Sequence, residues 1–367
     1  MAFGSEHRKT VIADFLARAG WAGADRQPLG QDASTRRYER LVLNGQTAML
    51  MDAPRVEEDP CPPRADGATR LAMGWNARTR LAASRVDAFV ALSEHLRGLG
   101  LSAPEVMAHD SNEGLALIED FGASREVARV IEQGEANEVD LYRAAAETLA
   151  AAHLGGAPEH VSGRGETWPI LDFDAMALEA NVDLFPEWLP QFDDRMARVD
   201  ASDPQWIAAR DAMIEQTATF PSSFTLRDYH AENLIWLPAR EGDARIGLLD
   251  FQDAVRGWDA WDMAMLVQDA RRPVSQAASD AAITTYLDRT GRERPAFEAR
   301  LAVVGTLNAL RITGLFARLV KRDGKDRYLD FMARQQTLLA RNLGHPAAAD
   351  MAGYVRDVAP FIFEARS

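Results

Sequence analysis

The stretch 226–253 constrains this chain more than any other part of it. Leu226-Arg-Asp-Tyr-His-Ala-Glu-Asn-Leu-Ile-Trp236 is followed by Ile246-Gly-Leu-Leu-Asp-Phe-Gln-Asp253. Short apolar runs read as strands and the polar residues between them as loops. Phe224-Thr-Leu226 therefore ends where a loop holding Asp228 begins, and Asn233 stands where Leu234-Ile-Trp-Leu237 resumes the apolar pattern. A turn through 238–243 leads to Leu248-Leu249, which ends in Asp250. Asn233 follows Asp228 by five positions, and Asp250 follows Asn233 by seventeen. Phosphoryl transfer from ATP needs one carboxylate beside the attacking hydroxyl and two oxygen ligands for Mg²⁺. Asp228 fits the first role, and Asn233 and Asp250 fit the second. Any one of the three could merely cap a turn; all three within strand–loop–strand–strand point to a site. Asp253 could assist the metal or only satisfy the loop backbone.

The totals are compatible with such an enzyme. A chain of 367 residues holds two domains or lobes, each with its own core. With 41 basic and 55 acidic residues, the net charge of −14 argues against general binding to nucleic acid or an anionic membrane. The single cysteine, Cys61, excludes an internal disulfide and suits a reducing compartment. MAFGSEHRKT has no apolar signal core, and the apolar run 301–310 ends at Arg311, short of a bilayer span. A cytoplasmic protein with no membrane or nucleic-acid partner is expected, acting as a monomer.

Along the chain, Val11, Phe15 and Leu16 predict a leading helix over Glu6–Arg18, with Gly20 after it. Tyr38-Glu-Arg-Leu-Val-Leu43 and Gln46-Thr-Ala-Met-Leu-Met51 flank Asn44-Gly45, the pair preferred in a two-residue hairpin turn. Residues 52–85, with Pro54, Pro60, Pro62 and Pro63 and many charges, read as an exposed, mobile loop with room for a short helix. Val86, Phe89, Val90 and Leu96 predict a helix ending near Gly98, and strands follow at 105–108 and 115–119. After Asp120-Phe121-Gly122 the pattern turns helical: an apolar stripe of Leu141, Ala145, Leu149 and Ala152, then segments near 175–184, 204–216, 259–271, 276–289, 296–320 and 327–343. The fold class expected is α+β: a mixed antiparallel sheet lobe over 1–121 and a mostly helical lobe over 122–367.

These motifs resemble the aminoglycoside phosphotransferase and choline kinase superfamily, whose fold is related to protein kinases. Its members usually show His-Gly-Asp-Leu-His-x-x-Asn and then Ile-Asp-Phe or Ile-Asp-Trp. This chain keeps the Asp, second His and Asn at Asp228, His230 and Asn233, and has Leu226-Arg227 in place of His-Gly. Within the superfamily it most resembles bacterial anomeric kinases of N-acetylmuramic acid and N-acetylglucosamine that serve cell-wall recycling. That narrower resemblance rests on Gly30-Gln-Asp-Ala-Ser-Thr-Arg-Arg-Tyr38, Met51-Asp-Ala-Pro54, Leu226 to Leu234 and Asp250-Phe-Gln-Asp-Ala-Val-Arg-Gly257. It extends to Gly314-Leu-Phe-Ala-Arg-Leu-Val-Lys-Arg-Asp-Gly-Lys325, far from the shared kinase core.

The resemblance implies a protein-kinase-like two-lobed fold, ATP and Mg²⁺ as cofactors and a small-molecule sugar as substrate. It implies that the loop 30–37, with Ser34, Thr35, Arg36 and Arg37, covers the phosphates. Ile118-Glu119-Asp-Phe121-Gly122 becomes the hinge offering backbone groups to adenine, and Asp262 braces the catalytic loop. An anomeric hydroxyl is more acidic than an ordinary alcohol, so Asp228 acts mainly by positioning it. One departure stands out. Where most kinases carry a phosphate-binding Lys, this chain reads Thr47-Ala-Met-Leu-Met-Asp52. Arg36, Arg37 or Arg55 is expected to substitute, since a guanidinium fork binds phosphate well.

Sugar contacts are the least determined. Glu179, Asp183 and Trp188 could hydrogen-bond hydroxyls and stack on a ring, or belong to a solvated helix ending at Pro186 with Trp188 packed in the core. Arg311 and Arg318 could meet a lactyl carboxylate or form an exposed basic face. His230 positions the loop more readily than it acts as base, and Arg227 either pairs with a carboxylate or is solvated. Gly98-Leu-Gly-Leu-Ser-Ala103 follows a helix, not a strand, so it is no dinucleotide fingerprint. The rival readings are a phosphotransferase for an aminoglycoside, choline or another alcohol, which calls for an acidic pocket, and a non-catalytic nucleotide-binding pseudokinase.

Overall fold

The computed structural model describes residues 5–29, 36–54, 61–82 and 84–364. The chain separates into two compact units. The first comprises Met1–Asn137, Glu147–Leu171 and Ala231–Val255; the second comprises Glu138–Ala146, Asp172–His230 and Arg256–Ser367. These bounds differ from a single division at residue 121, because the segments 147–171 and 231–255 gather their contacts with the first unit.

In the first unit a five-stranded antiparallel sheet runs in the order Asp25–Pro28, Arg37–Leu43, Gln46–Asp52, Leu115–Ile118, Val106–Asp110. Asn44 and Gly45 both adopt positive φ (50° and 79°), the geometry of the type I′ turn that their sequence favours. Register follows burial: Leu41 lies opposite Ala48 and Leu50 opposite Leu117, all fully buried. Helix Glu6–Arg18, capped by the Ser5 hydroxyl at the Arg8 amide (3.1 Å), lays Ile12, Phe15 and Leu16 on this face with Trp21. The helix also delivers a buried cation. Arg8 donates to Asp52 Oδ1 from Nε at 3.0 Å and to the Glu113 carbonyl from Nη1 at 2.7 Å. Gly114 is obligatory at its turn, since a Cβ there would lie 2.0 Å from the Ala53 carbonyl oxygen.

Within its described part the loop expected over 52–85 is exposed along most of 62–72, but it is more ordered than expected. Helices Gly67–Met73 and Trp75–Thr79 occupy it, and Cys61 and Ala77 are buried with Leu171. Arg70 is buried because its guanidinium satisfies the carbonyls of Ala77 (3.2 Å) and Arg78 (2.7 Å). For Arg70 the charge serves carbonyl capping, whereas Arg64 and Asp66 are exposed. Helix Val86–Gly98 then stacks Phe89 on Phe251, ring centroids 5.0 Å apart. A hairpin of Leu234–Trp236 with Ile246–Leu248 completes the unit; it bridges to Ser102 and to Glu126.

The second unit is built on helix Arg294–Lys321, which is long and apolar enough to cross a membrane by length and composition but is mostly buried as a core helix. Asp259 ties helix Asp259–Val267 to it through two bonds from Arg300, at 3.0 and 2.8 Å. Helices at Ala175–Val182, Pro204–Thr217, Gln276–Thr290 and Leu329–Leu343 stand where the periodicity predicts. Helix Leu184–Phe192 does not. Pro186 lies in its first turn, where a missing N–H costs nothing, and Pro190 sits inside it near the end. Gly314 lets the two helix backbones touch, since a Cβ at that position would meet Leu184 C and O at 2.2 Å.

Candidate active site

In the second unit, the loop after strand Ser222–Thr225 is fixed from both ends. Asp262, fully buried, accepts the Leu226 amide at Oδ2 (2.7 Å) and the Arg227 amide at Oδ1 (2.8 Å). The bracing that the resemblance implied for Asp262 is present. The Arg227 carbonyl accepts the Trp261 indole N–H at 3.3 Å, and φ of Arg227 is +75°. Downstream, the buried Tyr229 hydroxyl donates to the Ala145 carbonyl at 2.7 Å, and burial raises its pKa well above that of free tyrosine. Between these anchors Asp228 is half-buried amid fully buried neighbours. Its carbonyl accepts the His230 amide at 3.2 Å, so a tight turn presents the side chain. A carboxylate held in this way can receive a substrate hydroxyl with little reorganisation.

Arg311 feels the charge of Asp228, and Arg227 and Arg271 act on Arg311 in the opposite sense. Arg227 is buried, with its guanidinium 4.6 Å from the Phe173 ring centroid, so it is neither exposed nor solvated. Arg271 Nη1 stands 3.4 Å from His230 Nε2; a guanidinium only donates, so that imidazole nitrogen accepts. His230 is buried, as befits a residue that shapes the loop. Arg311 donates from Nε to Asn308 Oδ1 at 3.1 Å, and Asn308 in turn donates to Met265 Sδ at 3.1 Å. Burial works against the charge of Arg311, and Arg227 and Arg271 add repulsion. Asp228 supports the charge, but the guanidinium is held below its ordinary range.

In the first unit, the hairpin register brings Asn233 and Asp250 to one end of a two-strand ladder. Leu234 pairs with Leu248, and the Asn233 carbonyl accepts the Leu249 amide at 3.0 Å. Asp250 follows with φ of +57°. Its Oδ1 accepts Arg36 Nη2 at 2.6 Å and Gln252 Nε2 at 2.9 Å. Asp253 accepts the Ala82 amide at 2.6 Å and Gln252 Nε2 at 3.2 Å, so its carboxylate satisfies the loop. Arg37 is exposed, opposite Asp52 in register. Ser34, Thr35 and Arg55 lie outside the described residues.

The segment 118–122, expected as the hinge, docks in the same unit. Phe121 packs over Gly247, where a Cβ would come within 2.9 Å of its ring, and Arg240 covers that ring at 5.2 Å. The Glu119 carboxylate takes Arg240, while its amide bonds the Glu105 carbonyl at 2.8 Å. Asp120 is bound in two-pronged fashion by Arg40, at 2.7 and 2.9 Å. Burial alone would raise the Asp120 pKa, but the Arg40 bonds and the Gly122 amide outweigh it and hold it low. Neither the Arg40–Asp120 pair nor Gln252 carried a signal in the sequence, because each depends on a partner brought near only by folding.

Among the described residues no group of three or more His, Cys, Asp or Glu side chains could hold a metal alone. Mg²⁺ is commonly held by one or two carboxylates together with substrate phosphates and water. The donor set of Asn233 and Asp250 fits that pattern, and Asp250 already draws a cation to itself in Arg36.

Of the remaining expected substrate residues, Asp183 and Trp188 have partners within the fold. Asp183 accepts the Trp206 indole N–H at 2.8 Å and Arg210 Nη1 at 3.0 and 3.1 Å, so it fastens helix Pro204–Thr217. Trp188 packs on a cluster containing Ile312, Phe316 and Tyr328. Glu179 is half-buried; burial raises its pKa, with Arg210 opposing and Asp211, Asp183 and Asp174 adding to the rise. Arg318 is half-buried on the same long helix as Arg311.

Comparison with known proteins agrees with this geometry. Residues 25–298 match the model of the phosphotransferase enzyme family. The chain is 46% identical over 349 residues to the N-acetylmuramate/N-acetylglucosamine kinase of Caulobacter vibrioides, covering 95% of each chain. It is 27% identical to the kinase of the same name from Pseudomonas aeruginosa, covering 89% of this chain and 86% of that one. In fold it is similar to a choline kinase from Streptococcus pneumoniae, with a TM-score of 0.57 at 14% identity, covering 92% of this chain and all of the other.

Proposed function

Because the chain belongs to the phosphotransferase enzyme family, we propose that it is an ATP- and Mg²⁺-dependent kinase of the anomeric hydroxyl of N-acetylmuramic acid and N-acetylglucosamine. The observation that carries this is the identity of 46% over 95% of both chains to the Caulobacter vibrioides kinase of those sugars. In the cell the reaction serves cytoplasmic recycling of peptidoglycan sugars. We assign nucleotide binding to 1–121, and the catalytic loop and sugar site to 122–367.

In this mechanism the C1 oxygen of the sugar attacks the terminal phosphorus of ATP in line. The new O–P bond forms as the bond to the bridging oxygen breaks, and ADP leaves. Asp228 accepts the hydrogen bond of the attacking hydroxyl, orients its lone pair and receives its proton. Asp262 keeps the loop in register, since its two backbone bonds set the turn that carries Asp228. Asn233 and Asp250 would hold Mg²⁺, which neutralises phosphate charge when bound. Arg36 is our assignment for the cation that replaces the missing lysine. Its guanidinium already lies 2.6 Å from Asp250, and a fork of this kind suits phosphate oxygens.

The charges acting on Arg311 bear on the rival acceptors. A cationic aminoglycoside or choline calls for carboxylates near the attacking hydroxyl, whereas the charged groups that act on Arg311 are Asp228 and two further arginines, Arg227 and Arg271. The test incubates the protein with ATP, Mg²⁺ and, separately, N-acetylmuramic acid, N-acetylglucosamine, kanamycin and choline. Product is read by mass and ³¹P NMR. A phosphoryl group at C1 of either N-acetyl sugar, with kanamycin and choline unchanged, is the expected outcome. Phosphorylated kanamycin or choline with both sugars untouched refutes it, and nucleotide binding without any product favours the pseudokinase.

A further inference from the structure

The middle of helix Arg294–Lys321 is apolar from 301 to 317, and Arg311 is the one charged residue in that stretch. Its neighbours Leu310, Ile312, Thr313 and Gly314 are buried. A guanidinium on a core helix is costly unless it is paired or hydrogen-bonded. Among the described residues Arg311 makes one hydrogen bond, from Nε to Asn308. It forms no ion pair there, so both terminal nitrogens of its fork remain available. Asn308 is fixed through Met265, and this fixes the direction of the fork.

The three arginines that influence one another here, Arg227, Arg271 and Arg311, are not equivalent. Arg227 is stacked on Phe173, and Arg271 is turned to His230. Arg311 alone combines a half-buried position, an orienting bond at Nε and an open pair of donors. Asp228 acts on it in the stabilising sense, and the two other arginines repel it.

We propose that Arg311 is the specificity residue of the acceptor site, its open fork binding the carboxylate of N-acetylmuramate beside the hydroxyl that Asp228 receives. This rests on the sugar-kinase function proposed above. N-acetylglucosamine lacks that carboxylate and leaves the fork solvated, so the site prefers the acidic sugar. Paired N–H donors to a carboxylate are short, directional and stronger than neutral bonds.

The test compares equilibrium binding and steady-state turnover of both sugars by the wild type, Arg311→Met and Arg311→Lys, each checked by circular dichroism. In Arg311→Met the selectivity ratio for N-acetylmuramate over N-acetylglucosamine should fall by about 10–100-fold, in the Kd ratio as well as in kcat/KM. Arg311→Lys should recover part of the loss, because a point charge replaces a fork. An unchanged ratio, with turnover of both sugars falling together, overturns the proposal and assigns Arg311 to the phosphoryl group. An unchanged ratio in a fully active variant overturns it as well. A wild type that binds neither sugar is a different failure, since it removes the sugar-kinase function itself.

Discussion

Replacing Asp262 with Asn takes away one of the two acceptors that hold the catalytic turn. The carboxylate is completely buried and accepts two amides, from Leu226 at 2.7 Å and Arg227 at 2.8 Å. Asparagine keeps one oxygen and turns an N–H donor toward the other amide, so a charge-assisted bond becomes a donor–donor contact. Such a bond contributes about 1.5–3 kcal/mol, and a buried amide left unmatched costs about 1–3 kcal/mol. These overlap, and removal of a buried charge offsets part, so we expect a net loss of about 2–4 kcal/mol. For a chain of this size each kcal/mol lowers Tm by roughly 2 °C, giving a fall of about 4–8 °C. The left-handed φ of Arg227 is held against its own tendency to relax by these same bonds. Releasing it displaces Asp228, and misplacement by about 1 Å costs on the order of 10²-fold in turnover. Differential scanning fluorimetry and steady-state kinetics on the purified variant measure both quantities. A Tm within 1 °C of wild type, together with turnover within threefold, would refute the bracing role.

Asp228→Asn should retain the wild-type Tm while turnover falls by about 10²–10⁴-fold, the usual worth of a positioned acid–base group; near-normal turnover in stopped-time ADP assays rules out its assigned role. Asp183→Ala should do the opposite. Trp206 and Arg210 lose their shared acceptor, so urea unfolding should show a loss of about 2–4 kcal/mol, with sugar KM unchanged; a large rise in KM at normal stability would return Asp183 to the substrate site. Gly314→Ala drives a methyl group to 2.2 Å from the Leu184 backbone and should cost at least about 1–3 kcal/mol, read by thermal melting. A neutral outcome would mean that the two helices slide apart freely.

The three residues that first suggested phosphoryl transfer were legible because their spacing is set locally. A two-strand hairpin brings Asn233 and Asp250 to one end of a ladder, and Asp228 lies in the loop before it. The hairpin turn at Asn44-Gly45 and the leading helix were legible for the same reason, each encoded within a few residues. What escaped detection depends on distant partners. Asp183 has the chemistry of a sugar ligand, yet Trp206 and Arg210 share its carboxylate, while the packing of Trp188 on a hydrophobic cluster was one of the two readings its sequence allowed. Helix Leu184–Phe192 was hidden by its two prolines, which read as breakers although Pro186 occupies a tolerated first-turn position. In 61–82 the charges of Arg70 and Arg80 suggested solvent, whereas Arg70 caps carbonyls and Arg80 reaches Cys61 Sγ at 2.9 Å.

Backbone strain bears on whether the site is active or vestigial. Left-handed φ costs a non-glycine residue about 1–2 kcal/mol. Six described residues other than glycine adopt positive φ: Asn44, Arg80, Ser124, Arg164, Arg227 and Asp250. Asn44 belongs to a turn that requires it, and strain alone does not mark a site. Arg227 and Asp250 differ because the first adjoins the carboxylate proposed to receive the hydroxyl and the second is a proposed magnesium ligand, and each is secured by specific side chains. Asp262 grips the Arg227 amide, while Arg36 and Gln252 grip the Asp250 carboxylate. Strain maintained by dedicated hydrogen bonds is a form of preorganisation. A protein that only bound nucleotide would have no use for the first of these, since Arg227 precedes the acceptor-side carboxylate and not the phosphate-side pair. The effort spent on holding Asp228 in place is therefore the physical argument for a working transferase over a pseudokinase.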